Sequence, residues 1–139
     1  MRVYFIFSIK LEFINLYYNN KNILYSILKQ IYYLDSNELK YGYNIFNQLI
    51  NDIDKNDLDK FLYVKLHRNI PYSKRNHTHI YNNLYKDEVS KLIVKRSYIK
   101  LETENNYSSF FKYLKEYNSS LFVCDFKNQN YFFIKDYNY

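Results

Sequence analysis

Three groups of side chains in this 139-residue chain have the types and spacing that chemistry could use. His77-Thr78-His79 sets two imidazoles two residues apart, close enough to share a metal ion or a proton. Their neighbours are Arg75 and Asn76, with no cysteine or carboxylate beside them in the sequence to complete a zinc site, so the expectation is a solvated loop. Asp52, Asp54, Asp57 and Asp59 have the look of a calcium loop, but the central glycine and the closing glutamate are missing, and they read as a solvated turn. Cys124 lies inside an apolar run, where a thiol packs as a small hydrophobe; a reactive thiol wants an exposed cationic setting. With one glycine in the whole chain, neither a glycine-rich phosphate loop nor a glycine-flanked serine elbow can be built. An enzyme therefore has no positive support here, and no cofactor is expected.

A surface for binding is easier to find. Leu11 to Tyr18 reads as a short helix, with residues about 100° apart around its axis. Leu11, Ile14 and Tyr18 cluster on one side; Phe13 and Tyr17 stand four apart on another; Glu12 and Asn15 take the polar side. If the first group faces a sheet, the two aromatics are left at the edge, as a protein-binding knob. The alternative is that the next helix, Ile23 to Ile31, covers them.

The elements that must hold these residues follow from periodicity. Val3 to Ile9 is β-branched and aromatic on both faces, as in a central strand covered on two sides. Ile23, Leu24, Ile27, Leu28 and Ile31 form a helical stripe. Asp35-Ser36 is a plausible N-cap, with Glu38 in the first turn of an amphipathic helix carrying Leu39, Tyr43, Phe46, Leu49, Ile50 and Ile53. Gly42 inside that helix costs about 1 kcal/mol against alanine. Leu58 to Leu66 fits either a strand or a helix, and His67 to Tyr81, basic and broken by Pro71, reads as a long exposed loop. Lys91 to Arg96 and Ser97 to Glu102 read as strand and could form one long bent strand. Ser108 to Tyr117 is a helix with Phe110, Phe111, Leu114 and Tyr117 on one face; Leu121 to Phe126 and Tyr131 to Ile134 then pair across the polar turn Lys127 to Asn130. The expected fold is a single α+β domain over residues 1–139: a mixed sheet of four to five strands packed with about four helices, ending in a C-terminal β-hairpin.

Composition narrows the setting. Hydrophobic residues make up 47% and charged residues 24%, ordinary globular values. The aromatic fraction of 22%, together with the scarcity of glycine and proline, is what drift toward A- and T-rich codons leaves behind, so abundant tyrosine does not by itself mark a binding surface. The formal charge of +6 fits nucleic-acid binding or the same codon drift. In a nucleic-acid-binding module Lys65, Arg68, Lys74 and Arg75 would meet phosphates while tyrosines stack on bases. A single cysteine excludes an intrachain disulfide, and no stretch approaches the roughly 18 apolar residues of a membrane span. A cytoplasmic protein without a membrane partner is the expectation.

Both ends of the chain resemble the sporulation inhibitor of replication family, SirA, of low-GC Gram-positive bacteria. At the start the resemblance is carried by Tyr4 to Tyr17, with Ile9-Lys10, Glu12-Phe13, Asn15 and Tyr17 in order; at the end by Phe110-Phe111, Leu114-Lys115, Asp125-Phe126 and Tyr131. Phe132-Phe133 stand where the family pattern has a Gly-Trp pair, and His67 to Asn83 has no clear counterpart. The resemblance implies an inhibitory binding protein whose partner is the N-terminal domain of the replication initiator DnaA. The family's contact residues fall on Phe13 and Tyr17 of the first helix, and a glutamine of a later helix falls on Gln48 or one position earlier, at Asn47.

Overall fold

The computed structural model describes residues 1–34 and 37–138, so the Asp35-Ser36 cap lies outside the described residues. The chain runs β1 (Arg2–Ile9), α1 (Leu11–Tyr17), α2 (Lys21–Tyr32), α3 (Leu39–Leu49), β2 (Ile50–Asn51), α4 (Lys55–Leu66), β3 (Tyr72–Arg75), β4 (Thr78–Asn83), β5 (Glu88–Val94), β6 (Ile99–Thr103), α5 (Phe110–Tyr117), β7 (Leu121–Asp125) and β8 (Asn130–Phe133). Among the described residues the sheet has eight strands in the order β3-β4-β5-β6-β1-β7-β8, with β2 alongside β1. Every pairing is antiparallel. The expected mixed sheet of four to five strands with about four helices is therefore corrected to eight antiparallel strands with five α-helices.

The extra strands come from three places. His67 to Tyr81 is not a loop: Arg75 pairs with Thr78, and β3 and β4 close a hairpin over Asn76-His77. Asn76 has φ 55°, the left-handed conformation that asparagine tolerates better than most residues. Lys91 to Glu102 is not one bent strand but a second hairpin, with Val94 opposite Ile99 and the Lys95 amide bonded to the Tyr98 carbonyl. The expected helix through Ile53 stops at Leu49, and Ile50-Asn51 adds to β1 instead. Leu58–Leu66 resolves as helix. Asp54 caps α4 by accepting from the Asp57 amide, and Leu58, Leu62 and Leu66 fall on one buried stripe.

β1 is central, and its side chains split between two cores as strand alternation requires. Tyr4 and Ile6 enter a core with Leu58, Leu62 and Leu66 of α4 and with Phe110, Phe111 and Leu114 of α5. Phe7 and Ile9 enter a second core, with Ile14 of α1, Leu24, Tyr25 and Leu28 of α2 and Leu49 of α3. Leu121 and Val123 of β7 join the first core, Phe122 and Cys124 the second. Among the described residues no side chain of β3, β4, β5 or β6 joins the second core, whose strand residues come from β1, β2, β7 and β8.

Two buried carboxylates pin the framework. The Ser109 amide and hydroxyl donate to Glu88 at 3.0 and 2.6 Å, so an acid from β5 caps α5, whose own N-cap side chain makes no capping bond. Asp125, fully buried, accepts from Arg2 at 3.1 Å and from the Asn128 amide at 3.2 Å, tying β1 to the last hairpin turn.

Candidate protein-docking face

One residue, Lys10, separates β1 from α1, and its amide donates to the Leu49 carbonyl at 2.9 Å. The start of the first helix is thereby fastened to the end of the third. Beside that link Ile9 pairs with Ile50. α1 has seven residues, too few to be stable alone, so packing and this anchorage hold it.

Ile14 is the only buried residue of α1. Phe13 and Tyr17 are half-buried against the second core, their rings nearly parallel at 12° with centroids 6.4 Å apart. The expected inward trio holds only in part: Ile14 is buried and Tyr18 half-buried, but Leu11 is 69% exposed. The helix is rolled toward Phe13 and Tyr17 by about half of the ~100° between successive residues. Tyr18 is pinned at its far end, where its hydroxyl donates to Asp136 at 2.8 Å and Lys135 sits 4.0 Å above its ring. Leu16, 59% exposed, stands three residues after Phe13 and so shares its ridge of the helix. Sequence reasoning passed over Leu16; its place beside Phe13 on the helical wheel was the available signal.

Gln48 and Asn47 are both exposed in the last turn of α3, next to the Leu49 carbonyl that holds Lys10. All three expected contact residues thus lie on two elements joined by one hydrogen bond. Two aromatic faces at the rim of a core, an aliphatic ridge and a free carboxamide can bury apolar area and fix one oriented hydrogen bond.

The titratable groups gather elsewhere, on the α4 side of the sheet. The carboxylate that the sequence did not place beside His77 and His79 is supplied by α4: Asp59 accepts from His77 Nδ1 and, at 2.7 Å, from His79 Nε2. Asp59 is buried, not part of a solvated turn, and His79 has no exposed surface. A carboxylate only accepts, so His79 carries its proton on Nε2, and its Nδ1 accepts from the Tyr72 hydroxyl at 2.7 Å. Burial lowers the His79 pKa against the opposing pull of Asp59, and burial with the nearby Asp59 charge raises that of Tyr72. No group of three or more histidine, cysteine, aspartate or glutamate side chains suited to a metal ion occurs among the described residues. Burial also pushes the Cys124 thiol well above its ordinary value, which keeps it protonated and inert. No helix among the described residues is long and apolar enough to cross a membrane.

The chain is a small α+β fold with a half-buried aromatic pair on its first helix and an exposed carboxamide on the third. The family model described as "Sporulation inhibitor of replication protein SirA" matches residues 2–138, and the chain belongs to that family. No curated protein matches the chain.

Proposed function

We propose that the protein restrains the initiation of chromosome replication in sporulating cells by docking on the N-terminal domain of the initiator DnaA in the cytoplasm. Phe13 and Tyr17 supply the apolar contact, and Gln48 supplies an oriented hydrogen bond. The inhibition is steric: a covered initiator domain is closed to its other partners. Family membership over nearly the whole chain supports the inhibitory role. The observation that carries the site is the stacked Phe13–Tyr17 pair, half-open at the rim of the core, on a helix hydrogen-bonded to the element bearing Gln48. The charge of +6 favours approach to an acidic partner.

The test is calorimetric titration of the purified chain with the host's initiator domain. Phe13→Ala with Tyr17→Ala lowers affinity about thirtyfold or more, the scale of a hot spot near 2 kcal/mol. Because both rings also pack inward, Leu16→Glu serves as the companion: it alters only the exposed ridge. Unchanged binding by both variants defeats the reading.

A further inference from the structure

On the opposite side of the sheet from α1 and α3, α4 and the β3–β4 hairpin enclose an open cleft of about 560 Å3. Its lining includes Asn56, Asp59 and Lys60 of α4, and Lys74, Asn76 and His77 of the hairpin. Register explains the convergence. Lys74 pairs with His79, so both side chains lie on the α4 face of the sheet, while the Asn76-His77 turn brings the second imidazole over Asp59.

The charges in this cleft are unevenly spent. Among the described residues Asp59 is the only carboxylate of the lining, and both of its oxygens are engaged by imidazoles. Among the described residues Lys60 and Lys74 make no ion pair, and both are exposed. His77 has Nδ1 fixed by Asp59 and 41% of its side chain open to solvent, which leaves Nε2 for a ligand. Behind it, the fully buried His79 and its bond to Tyr72 hold the carboxylate in place. Two free ammonium groups, one oriented imidazole and two carboxamides therefore face one small volume with no free acceptor charge to oppose an anion. The ammonium and carboxamide groups are a donor set for a compact anion with several acceptor oxygens, and Nε2, which carries a lone pair while Nδ1 donates to Asp59, can accept from a hydroxyl of that anion.

We propose that this cleft binds a phosphate group carried on a small ligand, with Lys60 and Lys74 contacting the phosphoryl oxygens and His77, its Nδ1 proton held by Asp59, accepting at Nε2 from a phosphate hydroxyl. The proposal does not rest on the replication reading; the two sites lie on opposite faces of the sheet and fail independently.

The experiment is a 15N–1H NMR titration of the full chain with inorganic phosphate and then with phenyl phosphate as a monoester, at ionic strength held constant with chloride. Saturable shifts at the amides of Lys60, Asn76 and His77 are expected with both probes. Lys60→Gln with Lys74→Gln keeps the side chains' reach and weakens binding about tenfold or more, the scale of one charge-assisted hydrogen bond. His77→Gln also weakens it, while Lys65→Gln, whose parent side chain is paired with Glu116 outside the cleft, leaves it unchanged. Shifts that never saturate, that chloride alone reproduces, or that persist in the double lysine variant overturn the proposal. So does a single-stranded oligonucleotide that binds these residues where both phosphate probes do not, which would make the cleft part of a nucleic-acid surface.

Discussion

The Lys10 amide and the Leu49 carbonyl meet at 2.9 Å, and through that bond the helix bearing Phe13 and Tyr17 and the helix bearing Gln48 share one frame. Lys10 has φ −61° and ψ 141°, angles that proline adopts without strain, and Ile9 before it is extended as a residue preceding proline prefers. Lys10→Pro therefore deletes the donor and little else. It should lower unfolding free energy by about 1–2 kcal/mol in urea melts. Affinity for the initiator domain should fall more steeply than that cost alone predicts, since the two halves of the face lose their common anchor. Equal binding by wild type and variant would show that the halves act separately.

Asp59 carries two imidazoles, and its substitutions should separate them. Asp59→Ala leaves the buried His79 Nε2 donor without an acceptor, at a cost of about 3 kcal/mol. Asp59→Asn keeps one carbonyl for His79 and turns its amide toward the solvent-facing His77, which can change tautomer, so the cost should be about 1 kcal/mol. Chemical denaturation of the two variants side by side checks the order.

His79 gives stability a pH dependence of fixed sign. Burial holds its folded-state pKa below the ordinary 6.5. Between those two values the unfolded chain binds a proton that the folded chain refuses, so stability rises with pH. The contribution is complete above about pH 6.5 and is lost as pH falls through the folded-state value. Urea midpoints taken from about pH 8 down to about pH 5 should decline below 6.5 in the wild type, and less so in His79→Gln. A flat profile in the wild type would mean that His79 accepts its charge without penalty.

Gly42 is buried in α3 where a Cβ would come within 2.1 Å of Leu34 Cδ1. The obstructing atom is the end of a flexible, half-exposed side chain that can turn away. Gly42→Ala should therefore be neutral or stabilising by up to about 1 kcal/mol, from the gain in helix propensity. Gly42→Leu should destabilise by about 1–3 kcal/mol, because its bulk also meets Ile31. Thermal melts of the two variants distinguish helix propensity from crowding.

The elements with strong apolar periodicity were legible: β1, α2, α5 and the terminal β7–β8 hairpin carry their burial pattern in the order of their residues. The β3–β4 hairpin was not. Three of the four residues of β3 are exposed, and the inward residue of β4 at the key position is His79, whose burial depends on a carboxylate twenty positions earlier on another element. No local pattern announces such a pairing; only Asn76, apt for a left-handed turn, hinted at it. The same holds at the docking face. The adjacency of Phe13 and Tyr17 follows from a helical wheel, but the roll that exposes Leu11 and half-covers Tyr17 depends on how α1 is anchored to α3 and pinned at Tyr18. That information is not contained in seven residues.

β1 comes early in the chain, yet its partners are Ile50-Asn51, Ile99–Thr103 and Leu121–Asp125. During synthesis one edge of the central strand stays open until Ile99–Thr103 has emerged, and the other until Leu121–Asp125 has. Pairing over such separations is slow, and an unpaired apolar strand is sticky while it lasts. The nascent chain's exposure to holding chaperones is thus set by topology, and a ribosome stalled before Leu121 should leave a product that aggregates instead of a smaller folded one.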